Sequence, residues 1–441
     1  MLVEPSRPLP FSVRVGWALG QLPIACHVGV VSFYLQYFVT DGQHISPAWA
    51  GLGLLLPRIF NIIFDPVMGS VSDRSDTRFG RRRPFLLGGS ILWGLAIMAL
   101  FGLPIGADKA SGAAWLFVAF MAVSIGQTLY HVPYSAMLAE MTSSTRERIN
   151  LSSLKEAVSR VGVLLAAATV PIVVAFFPSQ VVGFRVAGII FGAIIAAGGI
   201  IAFYATARTP TTPASETQIP VAQQIRALVE NRPLRLLVSA YALIMIADEV
   251  FSGSLIYYAV NVLNQTPAFV GMAYPISSVA AILSIPLWNM LAFKMGRRSA
   301  LVAAVVGMAA SWLAVLAIPV TAPWLILPLM AVGGIFNAGL LMIPNAMVPD
   351  TVDHDAIRTG QRREGSIYGA WIFCQQTAMA LGGFLISAGL TLISYRTDGG
   401  PQPLSVHEGL GILIAVVPAA CLLAVLPIIR IYPLANQRQD R

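Results

Sequence analysis

Twelve runs of mostly apolar residues, each long enough to cross a bilayer, leave this chain few ways to fold. They lie near 13–39, 46–72, 85–106, 112–140, 152–177, 182–206, 233–262, 267–293, 298–319, 323–348, 365–393 and 406–433. A spanning helix needs about 20 such residues. In hydrocarbon every backbone N–H and C=O must be satisfied inside the protein, which allows only helices or a closed barrel. These runs are continuous rather than short and alternating, so strands are excluded. Composition agrees: 11% of residues are charged and 56% hydrophobic, whereas a water-soluble domain carries about a quarter charged. The expected fold is all-α and integral to the membrane.

The net charge of +8 could suggest a nucleic-acid partner, but the basic residues sit in short loops between runs. One set of loops carries Arg74, Arg78, Arg81, Arg82 and Arg83, then Arg146 and Arg148, Arg208, Arg226, Arg232 and Arg235, Lys294, Arg297 and Arg298, and Arg358, Arg362 and Arg363. The opposite loops hold little beyond Lys109, Arg185 and Arg396. That is the positive-inside pattern. It places both termini in the cytoplasm and requires an even number of spans. The expectation is a monomer in the plasma (cytoplasmic) membrane, with a small-molecule substrate and no nucleic-acid partner. Met1 to Ser12 is polar and proline-rich, and the first run is too long for a signal-peptide core, so no cleaved signal is expected.

The longest polar stretch in mid-chain, Ala207 to Pro233, opens with Thr and Pro. It divides a first six-helix half (1–206) from a second (233–441) through a cytoplasmic linker (207–232). The halves echo each other. Gly80-Arg81-Arg82 precedes the third run and Gly296-Arg297-Arg298 the ninth; Pro133 to Met137 with Glu140 ends the fourth, and Pro344 to Met347 with Asp350 ends the tenth. Echoes at matching places predict two pseudo-symmetric halves in parallel orientation, the major facilitator fold.

Charges inside the runs are the functional candidates, because an ionisable group in hydrocarbon costs a few kcal/mol. Arg58, Asn61 and Asp65 share one helix face by their spacing. Asp65 would bind a cation or proton, Asn61 would lend an oxygen and Arg58 would tune the acid; the alternative is an ion pair that only holds the helix together. Asp73, Arg74, Arg78, Arg81, Arg82 and Arg83 mix both signs at helix ends, as do Asp350, Arg362, Arg363 and Glu364. Such charges can latch one conformation and release another. His131, beside Tyr130 and Tyr134, would shuttle protons or bond a substrate hydroxyl, or else pack in the core; His27 is read in the same way. Asp248 and Glu249 are adjacent in the seventh run, so one of the two should face a cavity as a coupling acid. Gln21, Tyr257, Trp371 and Gln376 offer hydrogen bonds and aromatic platforms suited to hydroxyl-rich ligands, and equally suited to helix packing. No metal-spaced cluster, phosphate loop or nucleophile elbow is present, so neither an enzyme nor an ATP-driven pump is expected.

The stretch R-I-F-N-I-I-F-D-P-V-M-G-S-V-S-D-R-S-D-T-R-F-G-R-R-R-P-F at 58–85 and the block D-T-V-D-H-D-A-I-R-T-G-Q-R-R-E-G-S at 350–366 resemble the glycoside–pentoside–hexuronide:cation symporters. These are the melibiose-carrier group of the major facilitator superfamily. The ending G-R-R-R-P-F is also similar to the sucrose-transporter branch. The resemblance implies alternating-access symport. Of the family's cation-binding acids on helix two, Asp65 matches one and Asn61 stands at the other. A sugar-binding acid on helix four falls on His131 and one on helix one near Gln21. The helix-eleven lysine falls on Gln376, and a basic residue on helix five is matched by Lys155. The loss of charge at several of these positions favours a proton over sodium as coupling ion, with no other cofactor; a proton at Asp65, a different coupling acid such as Glu249, and uncoupled transport are the open alternatives. A glycoside or other small polar solute is the expected substrate. A lysolipid carrier on the same scaffold, or a non-transporting membrane scaffold or sensor, are the rival readings.

Overall fold

The computed structural model describes residues 9–75, 77–103, 109–142, 145–207, 229–360, 364–398, 400 and 402–433. Among the described residues twelve helical rods follow one another: α1 (Phe11–Leu35), α2 (Pro47–Arg74), α3 (Arg83–Phe101), α4 (Lys109–Met141), α5 (Thr145–Ala175), α6 (Gln180–Ala205), α7 (Arg232–Asn261), α8 (Pro267–Met295), α9 (Arg297–Ala314), α10 (Ile326–Thr359), α11 (Glu364–Leu392) and α12 (Leu404–Arg430). No strand occurs among the described residues. Eleven of the rods are long and apolar enough to cross a membrane; α7, with Asp248 and Glu249 at its middle, is not among them. Large apolar side chains such as Leu283 and Phe293, each 75% exposed, point outward, which only a hydrocarbon solvent rewards.

Proline marks several starts. Pro47, Pro84, Pro233 and Pro267 stand in the first turn of their helices, where the missing N–H has no partner to lose. The charged end of α10 stays helical to Thr359, well past the apolar run that ends near 348, and stops at Gly360 in the left-handed region. Likewise α5 starts at Thr145, before its apolar run.

The chain divides into two compact units, Met1–Gln218 and Ile219–Arg441. The expected linker lies, over 208–228, outside the described residues, with Arg208 and Arg226. Inside the first unit α3 packs on α4 and α6, α2 on α4, and α1 on α5 and α6. Inside the second, α9 packs on α10 and α12, α8 on α10, and α7 on α11 and α12. Adding six to each helix number converts one set into the other.

Glycines bring α3 and α4 into backbone contact. A Cβ on Gly126 would sit 2.7 Å from Trp93 Cα, and one on Gly89 would sit 2.8 Å from the Tyr130 nitrogen. This crossing holds Trp93 and Tyr130 in a buried column of rings. Trp17 stacks on Tyr134 at 5.3 Å, Tyr134 on Tyr130 at 5.5 Å, and Trp93 follows Tyr130 at 5.9 Å.

Candidate functional site

Polar groups of α2 and α4 converge within the first unit. Thr128 Oγ1 donates to Asp65 Oδ1 at 2.6 Å and lies 3.4 Å from Asn61 Oδ1, and Asn61 Nδ2 donates to Gln127 Oε1 at 3.4 Å. Spacing places Asn61 one turn above Asp65, and the contact between α2 and α4 supplies Thr128 and Gln127. The expected pairing of Arg58 with Asp65 is not among the described ion pairs. Asp65 is held by the Thr128 hydroxyl instead, and the charge of Arg58 bears on His27. Four side-chain oxygens, on Asp65, Asn61, Thr128 and Gln127, thus stand together with a single carboxylate among them. Among the described residues no three His, Cys, Asp or Glu are grouped to hold a metal ion.

A second face is built from α1, α4 and α5. Trp93 Nε1 donates to His27 Nδ1 at 3.3 Å. That nitrogen must then be unprotonated, so His27 is neutral with its remaining hydrogen on Nε2. His27 lies within electrostatic reach of His131, and His131 within reach of Lys155. Lys155 makes no hydrogen bond or ion pair among the described residues, its neighbour Glu156 being taken by Arg160 at 2.8 Å. Ser159, one turn after Lys155, accepts from Gln21 Nε2 at 3.4 Å. The other end of that amide, Gln21 Oε1, is buried with no hydrogen-bond partner. Sequence spacing alone brings none of these residues together.

Two residues expected at the site are taken up in helix packing. Tyr130 and Tyr134 are fully buried, and their hydroxyls donate to the Gly20 and Trp17 carbonyls at 2.6 and 3.0 Å. They tie α4 to α1 and present no free edge. Tyr257 of the second unit is also fully buried, edge-on to Tyr395. Trp371 has one face covered by Tyr241 at 4.3 Å, and its Nε1 donates to Asn345 Oδ1 at 3.2 Å. Gln376 is half-buried on α11.

Of the adjacent acids in α7, Asp248 is half-open and accepts from Asn337 Nδ2 at 2.8 Å, while Glu249 is buried against Gly382 of α11. A small cavity of about 20 Å³ in this unit is walled by Phe251, Ser277, Met308, Ser311, Trp312 and Met330, and none of the predicted site residues lines it.

The helix-end charges close inside each unit. Arg81 and Arg82, at the start of α3, both reach Glu140 Oε1 at the end of α4, Arg82 Nε at 2.7 Å. Arg297, at the start of α9, reaches Asp350 Oδ2 near the end of α10 at 2.6 Å. Gly80 and Gly296, the residues before these arginines, both take positive φ, +92° and +82°, which favours glycine. Arg83 donates to the Phe79 carbonyl at 3.2 Å, Arg78 lies over the Phe79 ring, and Arg74 is exposed at the end of α2. Asp73 sits in α2 and Glu364 opens α11, while Arg362 and Arg363 lie outside the described residues. Sequence reading missed Thr128, Trp93 and Asn337, since a threonine, tryptophan or asparagine in an apolar run carries no sign of which acid or imidazole it meets.

Known proteins give the same picture. The symporter YnaJ of Bacillus subtilis, itself uncharacterised, is 28% identical over 99% of this chain and 95% of its own. The glucuronide carrier protein homolog of Escherichia coli is 25% identical over 98% of this chain and 94% of its own. The crystal structure of the nucleoside transporter NupG superposes with a TM-score of 0.71 over 95% of this chain and 98% of that one, at 11% identity, a likeness of fold. The family model for MFS/sugar transport proteins matches residues 16–436. Duplicated six-helix packing, latched helix ends, buried intramembrane polar groups and a match over nearly the whole length lead to one conclusion: this chain is a multi-pass membrane transporter of the MFS/sugar transport protein family.

Proposed function

We propose that the protein is a proton-coupled symporter of a glycoside or other small polar organic solute, working by alternating access as a monomer in the cytoplasmic membrane with both termini inside. The observation that carries the coupling is Asp65, an acid in a spanning helix held by the Thr128 hydroxyl at 2.6 Å with no ion pair among the described residues. An ionised carboxylate in such surroundings is expensive. Protonation removes that expense, so a proton taken up there changes which conformation is favoured. A single carboxylate among neutral oxygens suits a proton better than a sodium ion. Gln21 Oε1, buried and unpartnered, is the acceptor for a substrate hydroxyl. The relatives named as a symporter and a glucuronide carrier homolog support the solute class. The loop arginines support cytoplasmic termini.

The test is uptake into proteoliposomes under an imposed pH gradient, with and without sodium. Asp65→Asn should abolish accumulation against a gradient while leaving counterflow exchange. Unchanged accumulation in that variant would refute the coupling role, and a strict need for sodium would refute the proton.

A further inference from the structure

Charge is distributed very unevenly inside the second unit. Between the helix ends, over 236–293, 299–349, 365–395 and 409–429, the sequence holds two charged residues, Asp248 and Glu249, and no base. Both stand near the middle of α7, about 20 Å of helix beyond Arg235. On the helices packed against α7, charged residues stand only in the terminal stretches: from Lys294 on α8, from Asp350 on α10, at Glu364 on α11, and at His407, Glu408 and Arg430 on α12. The other titratable side chains on those helices are tyrosines and cysteines, uncharged near neutral pH. Two neighbouring carboxylates in a spanning bundle without a base repel each other and are poorly solvated, so the pair holds at least one proton. Geometry separates the two acids. Glu249 is buried against Gly382 of α11. Asp248 is half-open and accepts from Asn337 Nδ2 at 2.8 Å, with no ion pair among the described residues. The other end of that amide, Asn337 Oδ1, makes no hydrogen bond among the described residues. An amide beside an acid suits both of its states, giving an N–H to the carboxylate and a C=O to the protonated form. The Thr128 hydroxyl stands in the same relation to Asp65 in the first unit, since a hydroxyl also both donates and accepts.

We infer that Asp248 is a second proton site, held by Asn337 and separate from Asp65, so that each turnover with a neutral solute carries two protons. This rests on the symport reading above and sets its stoichiometry. The proton adds to the carboxylate of Asp248 from the side of higher proton activity and leaves to the other side with the solute; no other group is consumed. Two positive charges then cross with each neutral solute. The accumulation limit rises with the square of the proton ratio across the membrane, where Asp65 alone gives its first power.

Proton and solute are read separately to test this. Difference infrared spectroscopy of the purified protein across pH follows the C=O band of protonated buried carboxyls. One pH-dependent band should vanish in Asp65→Asn and a second in Asp248→Asn. Glu249→Gln should leave the second in place, and Asn337→Leu should move the pH at which it appears, since the carboxylate has lost its donor. Uptake uses methyl β-D-glucoside in proteoliposomes, with the potential clamped at zero by potassium and valinomycin and one unit of pH difference. The limit of accumulation should be about 100-fold in wild type and about tenfold in Asp248→Asn, the worth of two protons and of one. An infrared response unchanged by Asp248→Asn, or a second band lost instead in Glu249→Gln, would overturn the inference and leave the role of Asp65 standing. A wild-type limit of about tenfold, the same in Asp248→Asn, would do so too. No accumulation in wild type, with Asp65→Asn indistinguishable from it, would remove the symport reading and the two-proton count together.

Discussion

The two arginine–carboxylate latches share a topology and differ in burial, and that difference sets what their loss should do. Arg82 is 7% exposed and Glu140 3%. Glu140→Gln keeps the shape and removes the carboxylate that Arg81 and Arg82 share, leaving a buried guanidinium without that counter-charge. Breaking such a buried pair costs about 3–5 kcal/mol. Arg297 and Asp350 are 33% and 36% exposed, where water screens the attraction, and Asp350→Asn should cost about 1 kcal/mol or less. Thermal unfolding of purified variants in one detergent, at one scan rate, compares them directly, since unfolding of such proteins is often irreversible. Glu140→Gln should lower the midpoint several times more than Asp350→Asn. The double variant Arg82→Gln, Glu140→Gln should be less destabilised than the sum of its singles, because the second change removes the buried charge the first exposed. Equal shifts for the two latches, or additivity in the first, would refute burial as the cause.

Two further outcomes follow from the frame. Gly296→Ala should cost about 1–3 kcal/mol through backbone strain alone, since φ 82° with ψ 151° is a region essentially confined to glycine and a Cβ there would meet nothing within 4 Å; the same unfolding assay reads it. Asn231 caps α7 by accepting from Leu234 N at 3.0 Å and donates to the Thr351 carbonyl at 2.9 Å, both buried. Asn231→Ala should therefore cost about 2 kcal/mol and speed proteolysis at the start of α7.

The rods were legible in the sequence because a bilayer demands length and apolarity, and both can be read residue by residue. The repeat behind the helix-end ion pairs was legible too, since Gly-Arg-Arg and a later acid recur at matching places in the two halves; that Arg82 meets Glu140 and Arg297 meets Asp350 was not. The polar interior was only half legible. Asp65, His27 and Lys155 announce themselves by charge, but their partners depend on helix register, which the pattern does not carry. Arg58 looked like the partner of Asp65 because they share a helix face, yet a threonine from α4 holds the acid. Tyr130 and Tyr134 drew attention as neighbours of His131; carbonyls of α1 take both hydroxyls.

The packing of α1 on α5 has a consequence for how the protein is made. Leu9 N donates to Glu147, Gln21 to Ser159 and the Tyr34 hydroxyl to the Ala167 carbonyl, across sequence separations of 138, 138 and 133 residues. A chain emerging from its N-terminus inserts α1 first, and these partners arrive only after four more helices have been synthesised. During that interval Gln21 and Tyr34 lie in or beside the bilayer without their native hydrogen bonds. A nascent chain stalled after α4 should thus hold α1 only at its first half, through Tyr130 and Tyr134, and one stalled after α5 should hold it along its whole length.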